Sequence, residues 1–307
     1  MNRNLGRGRG LRALVLAGAL SCISTFAVSG DGTGFGNFPF GAQTTYAALM
    51  PPAGTTSFFG YSLFYKGDIR DDDGNKPGVE FEVFALAPRL VHSWSQSLFG
   101  FKLSSGIVWE GVHAKVDAGP GGEDSDRGST LIGIEPLYLT RSFADNTWHF
   151  LTGPLIYFKA GSFDRNALAN STNGHNSVAY QVSTTWTPSP RWEASLNLAT
   201  EWKRENDANG YRGGTAWGVT FGMGHRPFAD TRWDLGFSGF YMDQFTDDQI
   251  DGEEIPGKVR TNKFAIGPKL TYWITPAAAI VTQYHREMDV HQGGDGDLFW
   301  VECVFPL

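Results

Sequence analysis

The sequence predicts an all-β protein, specifically an antiparallel transmembrane β-barrel of about 12 strands. Three observations carry this: β-rich segments in which apolar residues recur at every second position, connectors that alternate long with short, and tryptophans gathered near segment ends. Composition removes the competing classes. At 14% aromatic the chain is too rich in rings for disorder, its 39 glycines do not recur at every third position as in collagen, and two cysteines cannot staple a disulfide scaffold. No run of about 18 apolar residues follows the N-terminal region, so helical membrane spans are excluded.

The N-terminus reads as a signal peptide over residues 1–29. Arg3, Arg7, Arg9 and Arg12, with no acid among them, precede the apolar stretch Ala13–Leu20 and the small residues ending Ala27-Val28-Ser29. The apolar core is too short to span a bilayer as a helix. Leu20-Ser21-Cys22 invites a lipid-attachment reading, but Ala19 stands where a larger aliphatic belongs. The chain's formal net charge is −7, and cleavage would remove four arginines from it, so the exported remainder is more acidic still. An acidic surface argues against nucleic-acid binding. Cys303 is then left alone, so the fold uses no internal disulfide.

Residues 30–55 form a Gly-rich segment with Phe35, Phe38, Phe40 and Tyr46 interleaved. It suits either a flexible periplasmic lead or a plug folded into the lumen. Residues 56–307 supply the barrel. Strands are expected near 56–65, 80–93, 99–116, 128–141, 147–160, 177–187, 191–203, 213–227, 231–245, 259–274, 278–290 and 297–305. The connectors at 94–98, 142–146, 188–190, 228–230 and 275–277 are short, whereas those at 66–79, 117–127, 161–176, 204–212, 246–258 and 291–296 are longer and rich in Asp, Gly and Asn. Strict alternation of this kind is what an even-stranded barrel requires.

Faces follow from the period of two. In 191–203, Trp192, Ala194, Leu196 and Leu198 oppose Glu193, Ser195, Asn197 and Glu201. In 231–245, Trp233, Leu235, Phe237 and Tyr241 oppose Asp234, Gly236 and Ser238, and in 259–274, Phe264, Ile266, Leu270 and Tyr272 oppose Lys263, Gly267 and Lys269. The last strand sets Phe299, Val301, Cys303 and Phe305 against Trp300 and Glu302. Strand 80–93 has apolar residues on both faces, and its facing stays open. A soluble sandwich also alternates, so the tryptophans decide. Trp94, Trp148, Trp186, Trp192, Trp233 and Trp273 lie beside short turns, as an interface girdle would, with Trp109 and Trp202 toward the long-loop ends.

Three features bear a resemblance to a known family: Met50-Pro51-Pro52-Ala53-Gly54, the aromatic strand Tyr61-Ser62-Leu63-Phe64-Tyr65, and the loop Asp71-Asp72-Asp73-Gly74-Asn75. With Gly267-Pro268-Lys269-Leu270-Thr271-Tyr272-Trp273, Tyr284-His285-Arg286-Glu287 and Phe299-Trp300 near the end, the chain resembles the outer-membrane family of transporters assigned to the meta pathway of phenol degradation, which also holds sphingosine-responsive outer-membrane proteins. The resemblance implies a location in the outer membrane of a Gram-negative bacterium and uptake of small hydrophobic or aromatic compounds, without covalent chemistry. Outer-membrane strands usually finish on an aromatic residue; here Pro306-Leu307 follow Phe305.

On this register the lumen is lined by Lys102, Glu110, Glu135, Glu193, Glu201, Lys263, Lys269, His285, Glu287 and Glu302, charges that would set the selectivity of a passage. Two further readings use the same barrel. An outer-membrane lipid hydrolase would employ Ser177 as nucleophile and His175 as base, although Val178-Ala179-Tyr180 follow where such enzymes carry Asn and Gly. A structural surface barrel would carry no solute. Neither acidic loop matches the EF-hand spacing: counted back from Gly74 the first ligand would be Ile69, and counted from Gly252 the last would be Lys258. No zinc pattern or nucleotide fingerprint occurs, so neither metal nor cofactor is expected. The expected partners are outer-membrane lipid and lipopolysaccharide, the outer-membrane assembly machinery and a small hydrophobic solute.

Overall fold

The computed structural model describes residues 36–257 and 259–307. The expected signal peptide, and Phe35 of the segment after it, lie outside the described residues. The elements are β1 (Thr56–Arg70), β2 (Glu80–Leu98), β3 (Phe101–Asp117), β4 (Glu123–Phe143), β5 (Trp148–Lys159), β6 (Ser177–Ser189), β7 (Trp192–Lys203), β8 (Tyr211–Arg212), β9 (Ala216–His225), β10 (Trp233–Gln244), β11 (Gln249–Ile250), β12 (Glu253–Glu254), β13 (Asn262–Thr275), β14 (Ala278–His291) and β15 (Gly293–Pro306). Twelve of them close one antiparallel barrel in chain order, from β1 through β7, then β9, β10, β13, β14 and β15 back to β1. The closing seam pairs Ser57 with Pro306 at one end and Arg70 with Gly293 at the other. The short β8, β11 and β12 make a separate three-stranded sheet within the long loops.

All twelve expected strands are present, six of them longer than the alternation alone suggested and six shorter. Trp94–Leu98 belongs to β2, and the turn itself is Phe99-Gly100, both at positive φ (51° and 79°), as a tight hairpin of two strands demands. The expected longer connector at 291–296 shrinks to Gln292. Its glycines mark crowding inside the barrel rather than a loop: a Cβ on Gly294 would lie 2.3 Å from the Tyr65 hydroxyl.

Outward residues are exposed and apolar, among them Phe64, Phe84, Leu86, Leu90, Ile107, Leu196, Leu198, Phe237 and Phe299. A surface of this kind is stable only against lipid. The facing left open for β2 is thereby settled, since Phe84, Leu86 and Leu90 face out while Phe81, Arg89 and Val91 are buried inside. At the short-turn end Trp94, Trp148, Trp186, Trp192 and Trp233 face outward, with Trp148 stacked on Trp186 at 5.9 Å. Trp273 does not join them. It follows the inward row Lys263, Ala265, Lys269 and Thr271, so the strand's own parity turns it into the lumen, where its ring meets Tyr46 edge-on at 5.4 Å. The expected assignment of Trp273 to the girdle is therefore corrected.

One stretch of wall departs from regular pairing. Between Ile134 and Leu139 of β4 the register against β5 shifts, and the inward set changes from Leu131 and Glu135 to Tyr138 and Thr140. Pro136 on β4 and Pro154 on β5 cannot donate to the ladder there, and a bulge absorbs the extra residue.

Candidate functional site

The segment before β1 runs through the barrel. Asn37 lies beside Ser177 and Glu201 at the long-loop end, Tyr46 beside Glu193 near the short turns, and Thr55 joins β1 at that same end. This stretch pairs with no strand, so its backbone N–H groups need acceptors from elsewhere. The wall supplies one at nearly every level. Asn37 N donates to Glu201 Oε1 at 3.0 Å, Gly41 N to Thr220 Oγ1 at 3.0 Å, Tyr46 N to Glu193 Oε1 at 2.9 Å, Ala47 N to Ser195 Oγ at 3.1 Å and Ala48 N to Thr185 Oγ1 at 3.0 Å. Thr44 closes the set through its hydroxyl, 2.5 Å from Gln283 Oε1.

All these partners sit on β6, β7, β9 and β14, so the segment is fastened to one side of the barrel. Two glycines of β9 make the room. A Cβ on Gly218 would come within 2.5 Å of the Phe40 ring, and one on Gly222 within 2.1 Å of the Thr44 carbonyl oxygen. Alternation of polar side chains with glycine on this wall therefore forms a groove for the plug.

The other side of the lumen is different. Between the plug and β1 to β5 lies a cavity of about 110 Å³ walled by Leu63, Ala85, Val108, Leu131, Leu155 and Trp300. Its polar groups are the Arg89–Glu135 ion pair, Tyr61, Tyr157 and Glu110 on the wall, with Asn37 and Gln43 on the plug. Arg89 holds Glu135 with both ends of its guanidinium, at 2.7 and 2.9 Å, and the pair is almost wholly shielded. Toward the short turns a larger vestibule of about 770 Å³ shares Gln43, Tyr61 and Arg89 with this cavity and reaches Trp273 and Leu307. Tyr46 and Arg226 flank Trp273 at that mouth, the guanidinium 5.1 Å from the ring centroid.

Of the ten residues expected to line the lumen, Glu110 and Glu135 face the cavity and Glu302 faces the vestibule, accepting from Gln283 Nε2. Glu193 and Glu201 hold the plug. Lys269 reaches the Thr44 carbonyl and Glu193, each at 3.3 Å. Lys263 and Glu287 pair at 2.9 Å nearer the long loops, where Glu287 also accepts from Tyr65 at 2.6 Å and from Gly296 N at 2.9 Å. His285 meets Ser238 Oγ through Nε2 at 2.8 Å. Lys102 lies on the same strand face as Ser104, exposed near the short-turn end and away from the cavity. Ser177 is buried and donates to Glu201 Oε1 at 2.5 Å while accepting from Asn37 Nδ2 at 2.8 Å, so its hydroxyl serves the plug and is turned from the lipid that a hydrolase would need to reach.

The sequence does not mark Arg89, Tyr157 or Gln283 as lumen residues, and Tyr61 stands out only as part of the aromatic strand. Arg89 could have been marked so: a lone arginine in an apolar strand is tolerated only on the lumen side, and placing it there fixes the facing of β2.

Fold and lumen together define an outer-membrane-type β-barrel, closed on lipid outside and partly filled by its own N-terminal segment. Residues 66–302 match the family model described as "Putative MetA-pathway of phenol degradation", and the chain belongs to that family. A search of curated proteins returns no match. Among solved structures the chain is similar to the COG4313 outer membrane channel from Pseudomonas putida F1, at 15% identity and a TM-score of 0.74, over 85% of this chain and 98% of that one. It is also similar to the transport unit of the autotransporter AIDA-I from Escherichia coli (11% identity, TM-score 0.52, 85% and 94% covered) and to the β domain of the Bordetella autotransporter BrkA (11%, 0.51, 82% and 100%).

Proposed function

We propose that the protein is an outer-membrane channel that assists uptake of small hydrophobic or aromatic compounds and performs no covalent chemistry. The observation that carries this reading is the division of the lumen. The plug takes up most of the polar wall, and what it leaves free is a cavity walled mainly by aliphatic and aromatic side chains that borders a wider vestibule. A water-filled pore for sugars or ions keeps its charged wall wet, whereas here Glu193, Glu201 and Lys269 are spent on the plug. Membership of a family named for phenol degradation and similarity to an outer-membrane channel support the same reading. The partners it implies are lipid and lipopolysaccharide around the apolar belt, the assembly machinery that inserts the barrel, and the solute. The test is initial uptake of labelled toluene and labelled sucrose by cells with and without the protein. Toluene uptake rises several-fold and sucrose uptake does not; equal toluene rates refute the reading.

A further inference from the structure

Several polar groups that line the cavity between plug and wall have no hydrogen-bond partner among the described residues, Trp300 Nε1 among them, and one of these groups is a carboxyl. Glu110, midway along β3, lines it together with Val108, Leu131 and Leu155. Among the described residues nothing hydrogen-bonds or ion-pairs with its carboxylate. The contrast with its neighbours is informative. Glu135 in the same cavity is held by Arg89, and Glu193, Glu201, Glu287 and Glu302 each have partners. The hydroxyl of Tyr157, which also lines the cavity, has no partner among the described residues either.

A carboxylate in an apolar pocket is costly unless something donates to it. Arg89 and Glu135 hold each other, which leaves Glu110 as the carboxyl group of this cavity with no cationic partner. The space is that of a single ring, comparable with cavities known to admit benzene. We infer that the cavity is a binding site for a ring-sized apolar molecule bearing one O–H or N–H donor, that Glu110 receives this donor, and that an aromatic carboxylate, which brings no donor and only adds charge to an apolar pocket, is turned away. This rests on the channel reading above and adds to it a residue that chooses among solutes. Tyr157 offers a second polar contact to the same end of the ligand. Leu63, Leu131, Leu155 and Trp300 accept the ring.

Trp300 in the wall supplies the readout. Purified full-length protein is titrated in detergent with 4-nitrotoluene, 4-nitrobenzyl alcohol and 4-nitrobenzoate, each a quencher of tryptophan fluorescence. The quenching lost in Trp300→Phe is taken as the cavity signal, and each variant is first checked for heat-modifiable migration as a folded barrel. The alcohol is expected to bind at least about tenfold more tightly than nitrotoluene and than nitrobenzoate, since a hydrogen bond to a carboxylate is worth that much. In Glu110→Leu the advantage over nitrotoluene disappears. In Glu110→Gln, which keeps an acceptor but no charge, the alcohol is still preferred to nitrotoluene and the exclusion of nitrobenzoate is relieved. Equal binding of alcohol and nitrotoluene by the native protein, or an unchanged ratio in Glu110→Leu, overturns the role of Glu110 and leaves the channel reading standing. If no probe quenches Trp300, the solute site and the channel reading fail together.

Discussion

Filling the groove that seats the plug should open the barrel, and Gly222→Val is the sharpest way to do it. A Cβ at this position would stand 2.1 Å from the Thr44 carbonyl oxygen, where ordinary contact begins at 3.4 Å. The plug backbone must therefore retreat by more than 1 Å, because the opposing atom is main chain and has no rotamer to escape into. That displacement strains three interactions at once: Lys269 Nζ to Thr44 O, Thr44 Oγ1 to Gln283 and Tyr46 N to Glu193. Two of the three involve a charged group, so losing them costs roughly 3–6 kcal/mol, enough to unseat this part of the plug. The sheet itself gains a β-branched residue and is not weakened. Single-channel conductance in planar bilayers reads the outcome, with the variant several-fold above the native protein. A variant that migrates as a folded barrel and conducts like the native chain would show that the plug does not limit the passage.

Two other substitutions probe the lumen. Arg89→Ala leaves Glu135 buried without its partner and should lower stability by about 3 kcal/mol, seen as a lower temperature for the loss of fast gel migration in unboiled samples. An unchanged transition would mean that water replaces the guanidinium at no cost. Ser177→Ala removes a donor to Glu201 and an acceptor for Asn37, so a slight rise in conductance is expected while phospholipid turnover in vesicles stays at background. Turnover that is measurable in the native protein and lost in this variant would restore the hydrolase reading.

Much of the barrel is legible in the sequence because lipid on one face and lumen on the other force a two-residue period onto every strand. Glu193, Ser195, Asn197 and Glu201 could be placed inside from the pattern of β7 alone. Where that contrast fades, the reading fades with it. The row of β2 is apolar on both faces because its inner residues Phe81 and Val91 pack within a filled lumen, and Arg89 is the exception that decides its facing. Trp273 shows the opposite error: proximity to a turn suggested the girdle, but parity along β13 outranks proximity. The Gly-rich run at 293–296 looked like a loop because glycine there answers to crowding across the barrel, a constraint that no local pattern contains. The path of the plug is illegible for a similar reason. Its anchors lie between 137 and 239 residues away in sequence, and each is an ordinary Thr, Ser, Glu or Gln until the wall is assembled.

Twelve strands return a chain to the side from which it set out, and Thr56 and Pro306 accordingly meet at the short-turn end. The plug alters that parity. Between Gly36, against Glu201 and Lys203, and Thr55 the chain makes a thirteenth crossing inside the ring of the other twelve, with side chains of the wall in place of a neighbouring strand. Gly36 and Leu307 therefore lie at opposite mouths of the barrel. The polypeptide is threaded through its own enclosure, with Gly36 held at the long-loop mouth and the closing strand anchored at the other.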